Sequence, residues 1–301
     1  MLMNTTKKTH KGFSRNNNSI GSYINLFAIT VVVLICLYPF LNVIAMSLSS
    51  NRAILSGEIT FYPKEIQFNS FKEILKKSDI WSSMATTIAV TVFGTLLGLA
   101  ATIGASYSLS KKKLRGRNVL SLIILFTMFF GGGIIPTFLL IKNLNLLDNI
   151  LSLILPSAVN VYNFIVMRSF FQQLPDSIEE AAILDGCNDI KCLIRIVLPL
   201  SMPIIATIGL FYAVGFWNEY FNSLMYITDP SKFTLQLKLR QLIFTEELNQ
   251  LSSAGEGLGQ NVMAESLKAA SIIVSTLPIV IVYPWLQKYF VKGVMLGSVK
   301  G

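Results

Sequence analysis

The sequence predicts an all-α integral membrane protein with six transmembrane helices and both termini in the cytoplasm, and three observations lead there. The chain of 301 residues is 52% hydrophobic and only 14% charged, with mean hydropathy +0.59, which is too apolar for an ordinary soluble domain. Six apolar runs each reach the ~20 residues that cross a bilayer core. The basic residues collect in alternate connections, the pattern of cytoplasmic loops. The net charge of +9 comes from residues dispersed between apolar runs, not gathered with aromatics on one surface. It therefore points to the lipid membrane as partner, and to no nucleic acid.

In chain order, residues 1–19 carry Lys7, Lys8, Lys11 and Arg15 with no acidic residue, and read as a flexible cytoplasmic tail. Residues 20–83 comprise a first span (20–46) and an outer loop. The span is too long for the apolar region of a signal peptide and reads as a retained anchor. Within the loop, residues 71–80 suit a small amphipathic helix. A second span covers 84–109, and Lys111, Lys112, Lys113, Arg115 and Arg117 follow at once, unopposed by any acid. The third span, 118–142, contains Gly131, Gly132, Gly133 and Pro136, tolerable where neighbouring helices satisfy the backbone. The fourth, fifth and sixth cover 150–171, 202–227 and 267–291, with a second long loop at 228–266. Residues 292–301 form a cytoplasmic tail.

The stretch 174–200 organises the rest. Pro175, Asp176 and Ser177, with Glu180 three residues after the serine, read as a capping box opening a short helix. Gly186 suits the left-handed conformation that ends such a helix, and Asn188 or Asp189 can cap a second one over 190–197. Pro199 and Pro203 then stop it and tilt the chain into the fifth span. The product is a helix-turn-helix elbow at the membrane surface. Ala181 and Ala182 at its tip permit close backbone approach, and Glu179, Glu180 and Asp185 offer charge to a basic partner.

Glu180-Ala181-Ala182, Asp185-Gly186 and Ile196-Val197-Leu198-Pro199 together resemble the EAA loop in membrane subunits of binding-protein-dependent ABC importers. Ser108-Leu109-Ser110 with the basic run to Arg117-Asn118, Ile134-Ile135-Pro136 through Leu146-Leu147-Asp148, and Trp217-Asn218-Glu219 resemble landmarks of carbohydrate-importer permeases. The ending, 288–301, is similar to the subgroup serving oligosaccharides from complex polysaccharides. This resemblance implies the type I importer permease fold for 84–291, in a bacterial cell membrane. It makes the elbow, 174–200, a coupling helix that meets the ATPase through Glu179, Glu180, Ala181, Ala182, Asp185, Gly186 and Pro199. It implies three partners: a second homologous permease, a cytoplasmic P-loop ATPase dimer and an extracytoplasmic solute-binding lipoprotein. The implied cargo is a sugar or oligosaccharide.

Enzyme chemistry has no foothold. There is no GxxxxGK[ST] run, so no ATP-binding loop; ATP and Mg belong to the partner ATPase, and this chain binds no cofactor. Gly255-Glu256-Gly257-Leu258-Gly259 has neither a preceding strand nor a following lysine. His10 is the single histidine, and Cys36, Cys187 and Cys192 lack zinc-ligand spacing. No catalytic or metal residue is expected. For the substrate path, an ionisable residue inside a span is costly and often functional, which singles out Glu219 beside Trp217, Asn218 and Tyr220. Glu219 could instead be a carboxylate that reaches interfacial water or pairs with a partner subunit. Phe129, Asn160 and Asn163 are further candidates, for stacking and hydrogen bonding. The alternative reading is an ion-coupled secondary transporter. Such proteins usually carry intramembrane ionisable relays and repeats, and here little beyond Glu219 and Lys268 offers itself.

Overall fold

The computed structural model describes residues 20–252 and 259–298, and among these there is no strand. The expected tail at 1–19, most of the glycine-rich 255–259 and residues 299–301 lie outside the described residues. Along the chain come α1 (Ile20–Leu48), α2 (Asn51–Leu55), α3 (Asn69–Lys76), α4 (Ser78–Ser110), α5 (Arg117–Phe129), α6 (Ile134–Asn143), α7 (Leu151–Ile154) and α8 (Val161–Phe171). The second half holds α9 (Asp176–Leu184), α10 (Asp189–Cys192), α11 (Leu198–Leu200), α12 (Met202–Trp217), α13 (Phe221–Tyr226), α14 (Leu235–Ser252) and α15 (Gly259–Ser298). Helix α15 runs through most of the stretch expected to be a C-terminal tail.

Three helices, α1, α4 and the 265–284 part of α15, are by themselves long and apolar enough to cross a membrane. The remaining expected spans are broken. Helices α5 and α6 meet at 113° across Phe130–Gly133, where Gly133 takes φ +85°, a conformation that side chains disfavour. The glycine run therefore does more than weaken one helix, as the sequence suggested: it turns the chain. Helix α7, extended to Ser157, meets α8 at 51°, and the run Asp189–Leu200 meets α12 at 86°. Each bent pair, counted as one span, brings the number to six. The fifth expected span stops at Trp217 instead of reaching 227, and the second long loop contains α14. The alternation Leu235, Leu237, Leu239 hides that helix from a 3.6-residue reading. All three are buried because α14 is wedged against both α4 and α15.

Helix α4 is the centre of the bundle, packed against α12 and α8, while α12 also packs on α15. Two glycines on α4 allow this. A Cβ on Gly94 would sit 2.7 Å from the Phe216 ring, and one on Gly98 2.9 Å from the Tyr212 ring. The buried cluster that results includes Phe171, Ala182, Cys192 and Val197 at the elbow, then Met167, Ile208, Tyr212 and Phe216. Elbow and bundle thus share one core.

At the other end of α4, Asp148 ties two connections together from a left-handed conformation, φ +56°. Its backbone N–H donates to Tyr226 O, its Oδ1 accepts from the N–H groups of Thr228 (2.5 Å) and Asp229 (2.9 Å), and Lys232 Nζ donates to its carbonyl. The Asp229 and Thr228 N–H groups hold its carboxyl below the usual carboxylate range. A lowered folded-state value means the clamp's contribution is complete above the unfolded value of ~3.9 and is lost as pH falls through the folded one. Asp148→Ala is therefore expected to speed limited proteolysis in the 227–234 loop at neutral pH. Asp148→Asn, which keeps an acceptor oxygen, should do so less. Equal cleavage of all three proteins would contradict the clamp.

Candidate functional site: an elbow and a cleft

The elbow forms as the sequence predicts at its turn, but not at its start. Gly186, φ +81°, donates to Ile183 O while Cys187 N–H donates to Ala182 O; this paired closure satisfies two otherwise orphaned helix carbonyls. Asn188 Oδ1 accepts from Lys191 N–H and caps the next helix, which widens into a π turn at Leu193–Val197 before Pro199. The predicted capping box does not form. Pro175 is the N-cap and α9 opens on Asp176, so Ser177 and Glu180 fall inside the first turns and no side chain caps the helix.

The acids of that first turn go to the basic run instead. Lys112 Nζ lies 2.7 Å from Asp176 Oδ2, and Lys111 Nζ donates to Glu179 while resting over the Tyr107 ring. Its hydrogen-bonded Lys112 holds the Asp176 carboxyl below the usual range. Arg168 Nε, from α8, donates to Leu109 O at the same end of α4. The two ion pairs and this bond fasten α9, α4 and α8 together.

Of the residues expected to meet an ATPase, Glu180, Ala181, Asp185, Gly186 and Pro199 are exposed. The other two, Ala182 and Glu179, face inward. Ala182 is 4% exposed and belongs to the core, because it lies one turn beyond Ile178 on the inner side of α9. Glu179 is turned inward to Lys111, so its charge is already matched. Pro199 sits below the elbow, near the bend into α12. Sequence reasoning missed the apolar tip, where Ile183, Leu184 and Ile190 are 51%, 88% and 68% exposed. A 3.6-residue wheel anchored on Ile178 and Ala182 would have found it, since Leu184 is about 200° round from Ala182.

The second feature is a cleft of about 470 Å³ between α8 and α12, lined by Asn160, Tyr162, Asn163, Phe211, Tyr212, Phe216 and Glu219. Asn160 Oδ1 caps α8 through Asn163 N–H, and Asn160 N–H donates to the Tyr212 hydroxyl, which also bonds Thr102 Oγ1 at 2.7 Å. The exposed Tyr162 ring leans on Phe211, with centroids 6.4 Å apart. Glu219 accepts from Asn222 at both carboxylate oxygens, each at 2.9 Å, holding the start of α13.

The structure thus gathers Asn160, Asn163 and Glu219 in one place and leaves four other candidates elsewhere. Trp217 is buried toward α15, its Nε1 donating to Ser275 O. Asn218 and Tyr220 line a separate groove. Phe129 is 76% exposed at the end of α5.

Residues 94–296, which include both elbow and cleft, match the family described as the binding-protein-dependent transport system inner membrane component. The chain belongs to that family. It is a multi-pass membrane permease of the ABC importers, not an enzyme; ATP hydrolysis resides in a separate subunit, and the family works with a partner permease, an ATPase and a binding protein. Membership excludes the ion-coupled alternative. The permease is 42% identical, over 89% of its length and 94% of the relative's, to the polygalacturonan/rhamnogalacturonan transport system permease protein YtcP of Bacillus subtilis. It is also 42% identical to protein LplC of the same organism, over 92% and 94% of the two chains. Among solved structures it is similar to a chain from the crystal structure of a bacterial ABC transporter involved in import of the acidic polysaccharide alginate. That likeness has TM-score 0.82 and 37% identity, and covers 92% of this permease and 99% of that chain.

Proposed function

We propose that this permease imports an acidic oligosaccharide, derived from a uronate-containing polysaccharide, through a path shared with a second, homologous permease. The named cargoes of two relatives, polygalacturonan/rhamnogalacturonan and alginate, support the class. The cleft supports the site. At about 470 Å³ it falls within the ~300–1,000 Å³ usual for small-molecule pockets, and it pairs an exposed tyrosine face with amide groups suited to hydroxyls. Six spans, with both termini and the elbow on the cytoplasmic side, follow if each bent pair crosses once. The cleft end of α12 then opens toward a solute-binding lipoprotein, and the elbow rests on an ATPase dimer that carries the ATP and Mg.

The observation that carries this reading is the single buried cluster joining Ala182 and Cys192 at the elbow to Tyr212 and Phe216 at the cleft wall. Close-packed side chains transmit displacement, so a push on the elbow reaches the cleft through α4, α8 and α12. Affinity purification from the native membrane, with mass spectrometry, is expected to recover a second permease, a P-loop ATPase and a solute-binding lipoprotein that binds acidic glycans. Purification of the chain alone would refute the assembly. Tyr162→Ala is expected to lower uptake by about three- to tenfold, the ~0.5–1.5 kcal/mol of one aromatic stacking contact, without loss of the complex; unchanged uptake would remove Tyr162 from the path.

A further inference from the structure

We infer that the groove beside the cleft, between the end of α12, α14 and α15, is a carboxylate subsite in which Arg240 grips the uronate group of the cargo. The inference rests on the acidic-oligosaccharide reading above and deepens it. An acidic cargo poses a charge problem in the cleft, whose lining has one ionisable acid, Glu219, and no cation. A uronate carboxylate brought against Glu219 would meet like charge. Its counter-charge has to come from elsewhere on the path.

The neighbouring groove supplies one. Asn218, Glu219 and Tyr220 are consecutive, yet Glu219 lines the cleft while Asn218 and Tyr220 line the groove. The two hollows therefore back onto the same three residues. Arg240, reaching in from α14, places its guanidinium carbon 5.3 Å from the Tyr220 ring centroid, a stacking that steadies the planar fork. Among the described residues, no carboxylate forms an ion pair with Arg240. This contrasts with the hollow at the elbow, where Lys111 and Lys112 are already matched by Glu179 and Asp176.

The remaining lining suits a sugar ring. Ser271 and Ser275 donate their hydroxyl hydrogens to carbonyls of their own helix, Leu267 O and Ile272 O, which leaves their oxygens as acceptors. Asn218 Nδ2 donates one hydrogen to Val214 O, its Oδ1 is left to accept, and Gln236 adds a further amide. Sugar hydroxyls can donate to all of these while the carboxylate takes the Arg240 fork in a paired, charge-assisted bond. The volume, about 240 Å³, is below the ~300–1,000 Å³ of pockets that enclose a drug-sized ligand. It admits one sugar unit of a longer chain.

The test uses the full importer, reconstituted with its partners in proteoliposomes, and two probes of equal length: trigalacturonate and the neutral trisaccharide made by reducing its carboxyl groups. Wild-type, Arg240→Gln and Arg240→Lys complexes are compared for initial uptake of each. Arg240→Gln is expected to lower the ratio of acidic to neutral uptake about tenfold, the scale of one charge-assisted hydrogen bond. Arg240→Lys, which keeps the charge but loses the fork, should lower it less. A ratio unchanged by Arg240→Gln, whether both rates hold or both fall together, overturns the subsite, because a merely structural arginine would affect the probes equally. If the wild-type complex carries the neutral trisaccharide and not the acid, the cargo reading itself fails, and the subsite with it.

Discussion

Gly98→Val is expected to abolish transport and to leave little assembled complex. A Cβ at this position lies 2.9 Å from the Tyr212 ring, and the ring cannot yield freely. It is 4% exposed, lies nearly parallel to Phe216 with centroids 6.3 Å apart, and its hydroxyl bonds both Thr102 and the N–H of Asn160. Displacing it costs about 1–3 kcal/mol for overpacking, with about 1 kcal/mol more for each hydrogen bond lost. Small residues are how helices approach closely in a membrane, and here the approach also shapes the cleft through Tyr212 and the capped start of α8. The check is the thermal midpoint of the detergent-solubilised complex beside uptake. Gly98→Val with Tyr212→Leu should recover part of the midpoint, since the smaller side chain relieves the overlap, but not the uptake. A wild-type midpoint in Gly98→Val alone would show that α4 and α12 are not in contact there.

The second large effect is expected at the elbow tip. Leu184 is the most exposed large apolar side chain among the described residues, at 88%, and it sits beside the exposed Ile183 and Ile190. Exposed substitutions away from the core change folding stability by only about 0.5 kcal/mol, whereas a central apolar anchor of an interface is worth about 2 kcal/mol or more. Leu184→Glu should therefore leave the permease in the membrane and paired with its partner permease, while cutting ATP-driven uptake thirtyfold or more and releasing the ATPase during purification. If the ATPase stays bound and uptake persists, the docking surface lies elsewhere, with Glu180, Ala181 and Asp185 the next residues to replace.

Much of this architecture was legible in the chain. The positive φ of Gly186 and the cap at Asn188 follow from residue chemistry alone, and the first two apolar runs locate α1 and most of α4. Direction was not legible. Hydropathy reports that a stretch is apolar enough to cross, and it carries no information on whether the stretch is straight, so the 113° turn at Gly131–Gly133 and the 51° bend between α7 and α8 read as continuous spans, whereas Pro199 and Pro203 did announce the 86° turn into α12. Position relative to a neighbour was equally hidden. Glu179 and Glu180 are adjacent acids in the sequence, and only the placement of Lys111 makes one of them inward. The same holds at Trp217, Asn218, Glu219 and Tyr220, four successive candidates that the end of α12 distributes among the core, a groove and a cleft. Arg240 was overlooked because its helix, α14, sits in a stretch whose alternating leucines obscure it.

The contact between α1 and α15 joins the first described helix of the chain to the last. During synthesis at about 5–20 residues per second, α15 emerges roughly 10–40 seconds after α1. Through that interval α1 has none of its eventual long neighbour, and only the loop that follows it, through Thr60 and Phe61, is at hand to touch it. Its composition suits the wait: residues 21–41 are exposed throughout, and no acidic or basic side chain interrupts the helix. A helix with a polar stripe reserved for α15 would hold that stripe in hydrocarbon until its partner arrived. The first helix is therefore a free-standing guest of the bilayer that the last one later recruits.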